Sequence, residues 1–297
     1  MKQKVAIQGI KGCNHHVAAM RFFNDESIET IDCDTFRRLA NVVVKDPSIL
    51  GIMAIENTIA GSILQNYQIV RENNLVIIGE YKLRIEHALV AMPGVEIHQI
   101  EEVNSHPMAL MQCTEFLDKI PNIKIVEKDD TAASAKWIKD NNLSNHAAIC
   151  PAGAAQIYGM NILAQGIETN KRNFTRFLIL ANKDVATQAL QNIHSNSLTE
   201  EPKLSVEETI NKSSVVLTLP HSSGSLSKVL SILSFYDMNL TMIQSLPIIG
   251  KEWEYQFYIN LVYDDYSRYK QAIEAIKPLT IEFKILGEYS EGALNIE

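Results

Sequence analysis

The segment best suited to chemistry runs from Lys171 to Leu180 and reads Lys-Arg-Asn-Phe-Thr-Arg-Phe-Leu-Ile-Leu. Its first half is polar and cationic, and its second half is an apolar run of strand type. Thr175 and Arg176 therefore lie at the entrance of a strand, where open α/β sheets present binding groups. Because neighbouring side chains of a strand point to opposite faces, both can reach one ligand only if residues 173–176 are still loop. The alternative is that Thr175 merely begins a strand and Arg176 is a solvated charge.

Alternating strand-like and helical runs precede this segment and must position it. The strand-like runs are 5–9, 28–33 and 51–55, and the helical runs are 14–23, 34–45 and 61–72. Such alternation predicts βαβ units on a largely parallel sheet, and therefore an α/β fold. The turn from Gly9 to Gly12 lacks the third glycine of a dinucleotide fingerprint and the lysine-serine end of a P-loop, so no nucleotide is expected. Free amide groups at the helix start could instead face a carboxylate.

Polar side chains also stand at other junctions between strands and helices. They are Glu56, Asn57, Thr58, Ser105, His106 and Thr131. Strand ends are where α/β folds bind ligands, although Asn57 or Thr58 could equally be a plain helix cap. Asp130 or Thr131 can cap the helix that follows them. The strand pattern 75–92 is long enough to carry the chain from one lobe to another. Several helix N-termini would then converge on a cleft whose positive potential comes from helix dipoles.

The C-terminal third has a different pattern. Residues 183–212 are rich in Asn, Gln, Ser, Thr and Glu and predict a polar linker. Beyond them the predicted order is strand, helix, strand, strand, helix, strand, which is ferredoxin-like. Leu226, Val229, Leu230 and Leu233 repeat at helical spacing, and we interpret them as core residues.

Composition argues against several classes of function. The 297 residues are 46% hydrophobic with a formal net charge of −8, and neither half has the basic field that nucleic acid requires. No targeting peptide is evident, and no apolar run reaches the ~18 residues of a membrane span. The four cysteines are widely separated and no His-Glu-x-x-His motif occurs, so we predict no metal and a reduced, cytoplasmic location.

Together, these segments resemble the prephenate dehydratase family, and the C-terminal unit resembles an ACT domain. The matching residues of the first part are Glu56-Asn57-Thr58 with Gly61, Ser105-His106-Pro107 with Ala109-Leu110, Thr131-Ala132 with Ala135, Ala154-Ala155 with Tyr158-Gly159, and Asn173-Phe174-Thr175-Arg176-Phe177. Those of the second part are Gly224-Ser225-Leu226, Asn239-Leu240-Thr241, Ser245-Leu246-Pro247 and Phe257-Tyr258-Ile259. They run in order along nearly the whole chain.

The resemblance implies an α/β fold with a two-lobed catalytic domain like a periplasmic binding protein, followed by a ferredoxin-like βαββαβ ACT regulatory domain. We expect the catalytic domain at 1–182, with lobe 1 at about 1–79 and 160–182 and lobe 2 at about 80–159. The linker 183–212 and the ACT domain 213–297 follow. Because the family pairs its ACT domains, a homodimer or homotetramer is expected.

The resemblance also implies residue roles. Thr175 would be the catalytic hydroxyl, and Glu56 a candidate for proton supply. The residues that would bind substrate are Asn57, Thr58, Ser105, His106, Thr131, Arg176 and Phe177. The allosteric residues that would bind phenylalanine are Gly224, Ser225, Leu226, Gln244, Ser245, Leu246 and Pro247.

The implied reaction is the loss of carbon dioxide and the ring hydroxyl from prephenate to give phenylpyruvate, catalysed by a carbon–oxygen lyase in L-phenylalanine biosynthesis. Because aromatisation drives the reaction, donors placed on the carboxylates and the leaving oxygen suffice, and no cofactor is needed. Two alternatives stay open. One is arogenate dehydratase, whose substrate carries an amine in place of the keto group, and the other is a non-catalytic sensor of organic anions.

Three stretches depart from the family pattern. Gly12-Cys13-Asn14-His15 stands where the family usually has Gly-Thr-aromatic-Ser, and Met108 where it often has glutamine. Gln244-Ser245-Leu246-Pro247 replaces the usual Glu-Ser-Arg-Pro and lacks both charges. We therefore expect phenylalanine to bind and inhibit, with lower affinity or weaker coupling than in a chain with the full motif.

Overall fold

The computed structural model describes residues 2–23, 28–197 and 209–293. The first lobe contains β1 (Gln3–Gln8), α1 (Asn14–Phe23), β2 (Ile28–Cys33), α2 (Phe36–Lys45), β3 (Leu50–Asn57), β4 (Gly61–Ser62), α3 (Leu64–Glu72) and β5 (Leu75–Arg84). Strands β1, β2 and β3 are parallel, as the alternation predicted. Helix α2 shows why these runs are helical, since Thr35 caps its first turn and Leu39 and Val43 bury one face.

A second sheet forms the other lobe. Its elements are β6 (Ala88–Ala91), a 3₁₀ turn (Ile97–Gln99), β7 (Glu102–Ser105), α4 (Pro107–Gln112), α5 (Thr114–Leu117), β8 (Lys124–Glu127), α6 (Thr131–Asp140), β9 (His146–Cys150), α7 (Ala152–Tyr158) and β10 (Asn161–Gln165). The strands lie in the order β10-β6-β9-β7-β8. Helices α4 and α6 begin directly at their caps, His106 and Asp130. Both helices therefore start at the edge of the lobe that faces the first sheet.

Strand β11 (Phe174–Asn182) returns to the first lobe and lies antiparallel between β3 and β5. The first sheet has the order β2-β1-β3-β11-β5, with β4 beside β3. The apolar end of β11 is buried on both faces, as expected of a central strand. The lobe limits differ from the expected residues 79 and 160, because β5 stays in the first sheet through Arg84 and β10 belongs to the second. Strand pairing decides these limits, and apolar composition does not reveal it.

The C-terminal unit has the predicted βαββαβ order. Its elements are β12 (Lys212–Thr218), α9 (Ser225–Phe235), β13 (Asn239–Pro247), β14 (Tyr255–Val262), α10 (Tyr266–Ile276), a 3₁₀ turn (Lys277–Leu279) and β15 (Glu282–Tyr289). The antiparallel sheet has the ferredoxin-like order β13-β14-β12-β15. Of the predicted stripe on α9, Val229 and Leu233 are fully buried, Leu226 packs beside them, and Leu230 is half-buried.

The prediction of a linker at 183–212 is wrong in part. Helix α8 (Ala186–Ser197) occupies its beginning, where Leu190 and Ile193 pack on the core of the first lobe. Its end, Lys212, already belongs to β12. The polar composition hid the helix because only one helix face needs to be apolar. Residues 198–208 of the predicted linker lie outside the described residues.

The sheet of the C-terminal unit packs face to face on the first lobe. One apolar cluster joins Val216, Tyr258 and Leu286 of the unit to Ile77 and Leu178 of the lobe. The backbones approach so closely that a Cβ at Gly287 would lie 2.1 Å from the carbonyl oxygen of Ile77. The unit and the first lobe therefore share a core.

Three further features bear on the predicted class of protein. Within the described residues, no helix is both long and apolar enough to cross a membrane. In the same residues, no group of three or more His, Cys, Asp or Glu side chains is arranged to hold a metal ion. The four cysteines, Cys13, Cys33, Cys113 and Cys150, are free and buried.

Candidate active site

A cavity of about 280 Å³ lies between the two lobes. Its wall on the first lobe consists of Gln8, Cys13, Asn14, His15, Phe36, Ala54, Asn57, Ala60, Ile63, Thr175 and Phe177. Its wall on the other side consists of Ile85, His87, His106, Met108, Ala109, Gln112, Asp129, Asp130 and Thr131. A mostly apolar cavity with a few convergent polar groups is the usual form of a small-molecule site.

Thr175 contributes its side chain to this wall from within a strand. Strand β11 already begins at Phe174, and Thr175 pairs with Asn57 of β3 and Leu83 of β5. The alternation of a strand then turns Thr175 and Phe177 to the cavity and Arg176 to the opposite face. The condition stated from the sequence, a loop through residue 176, is not met.

The expectation that Arg176 binds substrate is therefore corrected. Its guanidinium is buried behind β11, where Nε donates to Glu80 Oε2 at 2.7 Å. Glu56, the expected proton donor, lies on the same side, with its Oε2 3.5 Å from Arg176 Nη1. Neither side chain lines the cavity. Strand parity places both beyond the reach of a ligand in the cavity.

The Thr175 hydroxyl is held by a defined hydrogen bond. Asn57 Nδ2 donates to Thr175 Oγ1 at 2.9 Å and to Asn173 Oδ1 at 2.7 Å. The backbone N–H groups of Ile59 and Ala60 donate to Asn57 Oδ1, which fixes the orientation of the amide. Because Oγ1 accepts, its own hydrogen is left for another acceptor, and none is found in residues 2–23, 28–197 and 209–293. The hydroxyl hydrogen is therefore available to a ligand.

The same network crosses from the first lobe to the second. Asn173 Nδ2 donates to Gln112 Oε1 at 2.9 Å, and His87 Nε2 donates to the same oxygen at 2.9 Å. Since that oxygen only accepts, the imidazole proton lies on Nε2, and the buried Nδ1 of His87 has no hydrogen-bond partner in the described part of the chain. Burial lowers the pKa of His87. Sequence reasoning missed His87 because it fell inside the predicted strand pattern 75–92, and it missed Gln112 because this residue ends a helix and does not start one.

Two other expected contacts are structural. Thr58 Oγ1 accepts from the N–H of Phe174 at 2.9 Å and donates to the carbonyl of Arg172 at 3.2 Å, which ties two loops together. Ser105 is fully buried and donates to the carbonyl of Ile149 at 2.6 Å. Both hydroxyls therefore serve the backbone, and neither side chain lines the cavity. The remaining expected contacts, Asn57, His106, Thr131 and Phe177, do line it.

The electrostatics of the cavity depend on backbone dipoles. Among the residues that the structure describes, no lysine or arginine lines the wall. Helices α1, α4 and α6 start at Asn14, Pro107 and Thr131, beside or within the wall, so their positive ends face the cavity. Free N–H groups at such ends suit carboxylates. Asp130 acts in the opposite sense; it caps α6 through Ala133 N–H at 2.7 Å, and burial raises its pKa.

His15, in the stretch that departs from the family pattern, is a neutral wall residue. The backbone N–H of Ala54 donates to its Nε2 at 3.2 Å, so the ring proton lies on Nδ1. The ring stands edge-on to Phe177, with 5.0 Å between ring centroids. Burial lowers the pKa of His15 to about 3. The imidazole is therefore uncharged throughout the pH range in which the protein would work.

His15 predicts a loss of stability in acid. In the unfolded chain His15 binds a proton below the ordinary histidine pKa of about 6.5. In the folded protein it binds that proton only below about pH 3, so acid favours the unfolded state. From this group alone, the free energy of unfolding should fall by about 1.4 kcal/mol per pH unit across that window. Urea unfolding at pH 7 and pH 5 should give a shallower pH dependence for His15→Gln than for the wild type.

The exposed His98 offers a control for this measurement, since its ring is largely in solvent. His98→Gln should keep the wild-type pH dependence. If the free energies of unfolding of His15→Gln and His98→Gln change equally between pH 7 and pH 5, the assignment of a buried, neutral His15 is wrong.

The expected allosteric residues lie at one end of the C-terminal unit. Gly224, with φ +79°, precedes α9, and Ser225 and Leu226 line a second cavity of about 130 Å³ together with the exposed Trp253. The stretch Gln244–Pro247 ends the edge strand β13 and pairs with β14, outside this small cavity. Of the two expected segments, the first therefore lines this small cavity and the second does not.

The fold and the cavity define a two-lobed α/β protein with a small-molecule cleft between its lobes. The model of the prephenate dehydratase family matches residues 5–185. A bifunctional chorismate mutase/prephenate dehydratase of Buchnera aphidicola is 32% identical over 284 residues, which are 95% of this chain and 69% of that protein. An arogenate dehydratase/prephenate dehydratase of Arabidopsis thaliana is 32% identical over 302 residues, covering 96% of this chain and 68% of that protein.

A solved structure extends the likeness to the C-terminal unit. Prephenate dehydratase from Arthrobacter aurescens, in complex with L-Phe, is 26% identical with a TM-score of 0.80 and covers 97% of this chain and 89% of its own. The coverage includes the ferredoxin-like unit as well as both lobes. This chain belongs to the prephenate dehydratase family.

Proposed function

We propose that this chain converts prephenate to phenylpyruvate. The observation that carries the proposal is the Thr175 hydroxyl, which accepts from Asn57 and keeps its hydrogen for a ligand in the interlobe cavity. The reaction removes carbon dioxide and hydroxide from the prephenate dianion and leaves the phenylpyruvate monoanion. The electron pair of the breaking carbon–carboxylate bond enters the ring and expels the hydroxide on the opposite carbon.

Thr175 assists by hydrogen bonding to the leaving oxygen. A threonine hydroxyl is too weakly acidic to protonate it outright, but a donor already in place stabilises the negative charge that develops there. Asn57 donates to the same hydroxyl, which polarises it and strengthens it as a donor. Glu56 has no part in this step because its carboxylate lies beside Arg176, outside the cavity.

The carboxylates of the substrate would be bound by backbone groups. The starts of α1 and α6 face the cavity and belong to different lobes. Prephenate carries one carboxylate on its ring and one on its pyruvyl side chain, so the two helix starts could each accept one of them and hold the lobes together over the reacting ring.

Arogenate is the second candidate substrate, because the cavity wall carries negative charge that could bind its ammonium group. Asp129 and Asp130 line the cavity, and in the described residues no cationic side chain balances them there. The ammonium of arogenate could pair with these carboxylates, whereas the keto group of prephenate could not. The Arabidopsis relative is named for both activities.

One assay tests the function and separates the substrates. The purified full-length protein is incubated with prephenate and, in parallel, with arogenate, and phenylpyruvate or phenylalanine is measured over time. We expect phenylpyruvate from prephenate. A much higher kcat/KM with arogenate would reassign the substrate, and turnover of neither would leave the alternative of a ligand sensor.

We further propose that the C-terminal unit is an ACT domain that binds phenylalanine. Its ferredoxin-like fold and the L-Phe complex of the Arthrobacter protein support this. The stretch Gln244–Pro247 lacks the family's two charges, so binding should depend on backbone groups near Gly224 and be weaker than with the full motif. We expect calorimetric heat and a rise in the unfolding temperature at millimolar phenylalanine. Absence of both signals would mean that the unit does not bind phenylalanine and has another ligand.

The assembly and the compartment are also proposed. The edge strand β13 is partly exposed along its length, which suits pairing with a second copy. We expect at least a homodimer, and light scattering that gives a monomer at micromolar concentration would contradict this. The four free, buried cysteines support a reducing compartment such as the cytoplasm.

A further inference from the structure

A cluster of buried charges lies behind the catalytic strand, on the face opposite the cavity. Glu80 of β5 accepts from Arg176 Nε at 2.7 Å and from Lys212 Nζ at 2.9 Å. The three side chains are 0%, 9% and 2% exposed, respectively. Charges this deep are tolerated only when their partners are held in place, because an unpaired one is costly. The cluster therefore fixes Arg176 in one position.

The C-terminal unit completes the shell around Arg176. The Asn260 amide of β14 satisfies its neighbours in one orientation, in which Oδ1 accepts from Arg176 Nη1 and Nη2 at 2.9 Å each and Nδ2 donates to Ser214 at 2.7 Å. Arg176 Nη2 also donates to the hydroxyl of Tyr289 on β15 at 3.3 Å, and that hydroxyl lies 2.7 Å from Ser214 Oγ. Two strands of the unit, β14 and β15, thus accept hydrogen bonds from the guanidinium directly.

Arg176 is separated from the Thr175 hydroxyl by a single peptide unit. The pairing of β11 with β3 shifts register between Arg176 and Phe177, a type of irregularity that re-aims side chains. A movement of β14 or β15 that displaces the guanidinium of Arg176 would therefore also rotate the adjacent residue, Thr175, in the cavity wall.

We propose that Arg176 is a positioning residue that couples the C-terminal unit to the catalytic hydroxyl of Thr175. The proposal rests on the proposed function and deepens it by naming how the unit reaches the reaction. Because the link acts on the placement of one transition-state donor, it changes kcat and leaves substrate binding nearly unaltered.

A matched pair of tyrosine variants tests the link in the full-length protein. Tyr289→Phe removes the hydroxyl that contacts Arg176, whereas Tyr258→Phe removes a hydroxyl in the same interface that contacts Gln256 at 3.3 Å. Both tyrosines are fully buried. We expect Tyr289→Phe to lower kcat roughly tenfold with KM within about twofold, and Tyr258→Phe to leave both unchanged, since small misplacements at a reacting centre are costly. Equal kcat values for the two variants would overturn the proposal.

Arg176→Lys separates positioning from substrate binding. Lysine keeps the charge but loses the planar fork, which strands of both the first lobe and the C-terminal unit contact. We expect kcat to fall about tenfold or more with KM nearly unchanged. A rise in KM of that size with kcat retained would make Arg176 a substrate ligand.

Amide hydrogen exchange supplies a readout that needs no turnover. In the peptide covering 174–178, exchange should be faster in Tyr289→Phe than in the wild type and unchanged in Tyr258→Phe. If the two variants exchange alike, the link from the unit to this strand is absent. If the wild type fails to turn over prephenate while the exchange difference is present, the proposed function fails and the link remains.

Discussion

Replacing Thr175 with valine is expected to lower kcat for prephenate by about 10²- to 10³-fold while the protein stays folded. Valine keeps the branched shape that suits a strand, so the hydroxyl is the group that is lost. In the proposed mechanism that hydroxyl acts mainly on the departing oxygen in the transition state, and KM should therefore change little. Asn57 Nδ2 keeps its second acceptor, Asn173 Oδ1 at 2.7 Å, so the free energy of unfolding should fall by only about 1 kcal/mol.

Thr175→Ser is the matched control, because it keeps the hydroxyl and loses the methyl group. We expect its kcat to lie within about tenfold of the wild type, since the donor is still present but less firmly held. Initial rates of phenylpyruvate formation, with a thermal unfolding curve for each variant, are the measurements. A valine variant with near-normal kcat would remove the hydroxyl from the mechanism.

Glu80→Ala is expected to lower the free energy of unfolding by about 3–5 kcal/mol, because it leaves Arg176 and Lys212 buried without their shared anion. The lost carboxylate also accepts from the N–H of Gly292 at 3.0 Å, so that the tail after β15 loses an anchor as well. Urea unfolding at pH 7 measures the effect.

The cost of Glu80→Ala should depend on pH. Burial and the charge of Arg176 already lower the pKa of Lys212, and loss of Glu80 should lower it further. The unfolded chain then binds a proton at Lys212 that the folded variant lacks, so the stability of the variant should rise with pH. We expect a larger loss at pH 6 than at pH 9.

Glu282→Ala is the control for an exposed carboxylate. Glu282 is 60% exposed and pairs with Arg71 at 3.0 Å. A surface pair of this kind contributes about 1 kcal/mol or less. If both glutamate variants lose the same small amount of stability at every pH, the buried cluster around Glu80 does not have the energetic role assigned to it.

Local patterns carried the parts of the fold that the sequence predicted well. The alternation of apolar runs gave the parallel strands of the first lobe, and the order of runs after Lys212 gave the βαββαβ unit. The ordered motifs pointed to the family that the comparisons then identified. Each of these signals depends on residues that are near one another in the chain, and such signals are readable without tertiary contacts.

The roles of individual side chains depended on where a strand begins. A start at about Phe177 would have left Thr175 and Arg176 on one loop, whereas the start at Phe174 places them on opposite faces. Pairing with Asn57 and Leu83 decides that start, and both partners are far away in sequence. Strand parity has a period of two, so an error of a few residues in one boundary reverses which side chain meets the ligand.

The sequence by itself determined the family, the βαββαβ order of the C-terminal unit and the presence of a hydroxyl at the entrance of a central strand. Tertiary structure alone decided which neighbours that hydroxyl has and what lies behind it. Glu80, Arg176 and Lys212 come from three distant parts of the chain, and no spacing rule relates them. They meet because the C-terminal sheet packs on the first lobe and buries all three side chains. Since an unpaired buried charge is costly, the three side chains must then pair with one another.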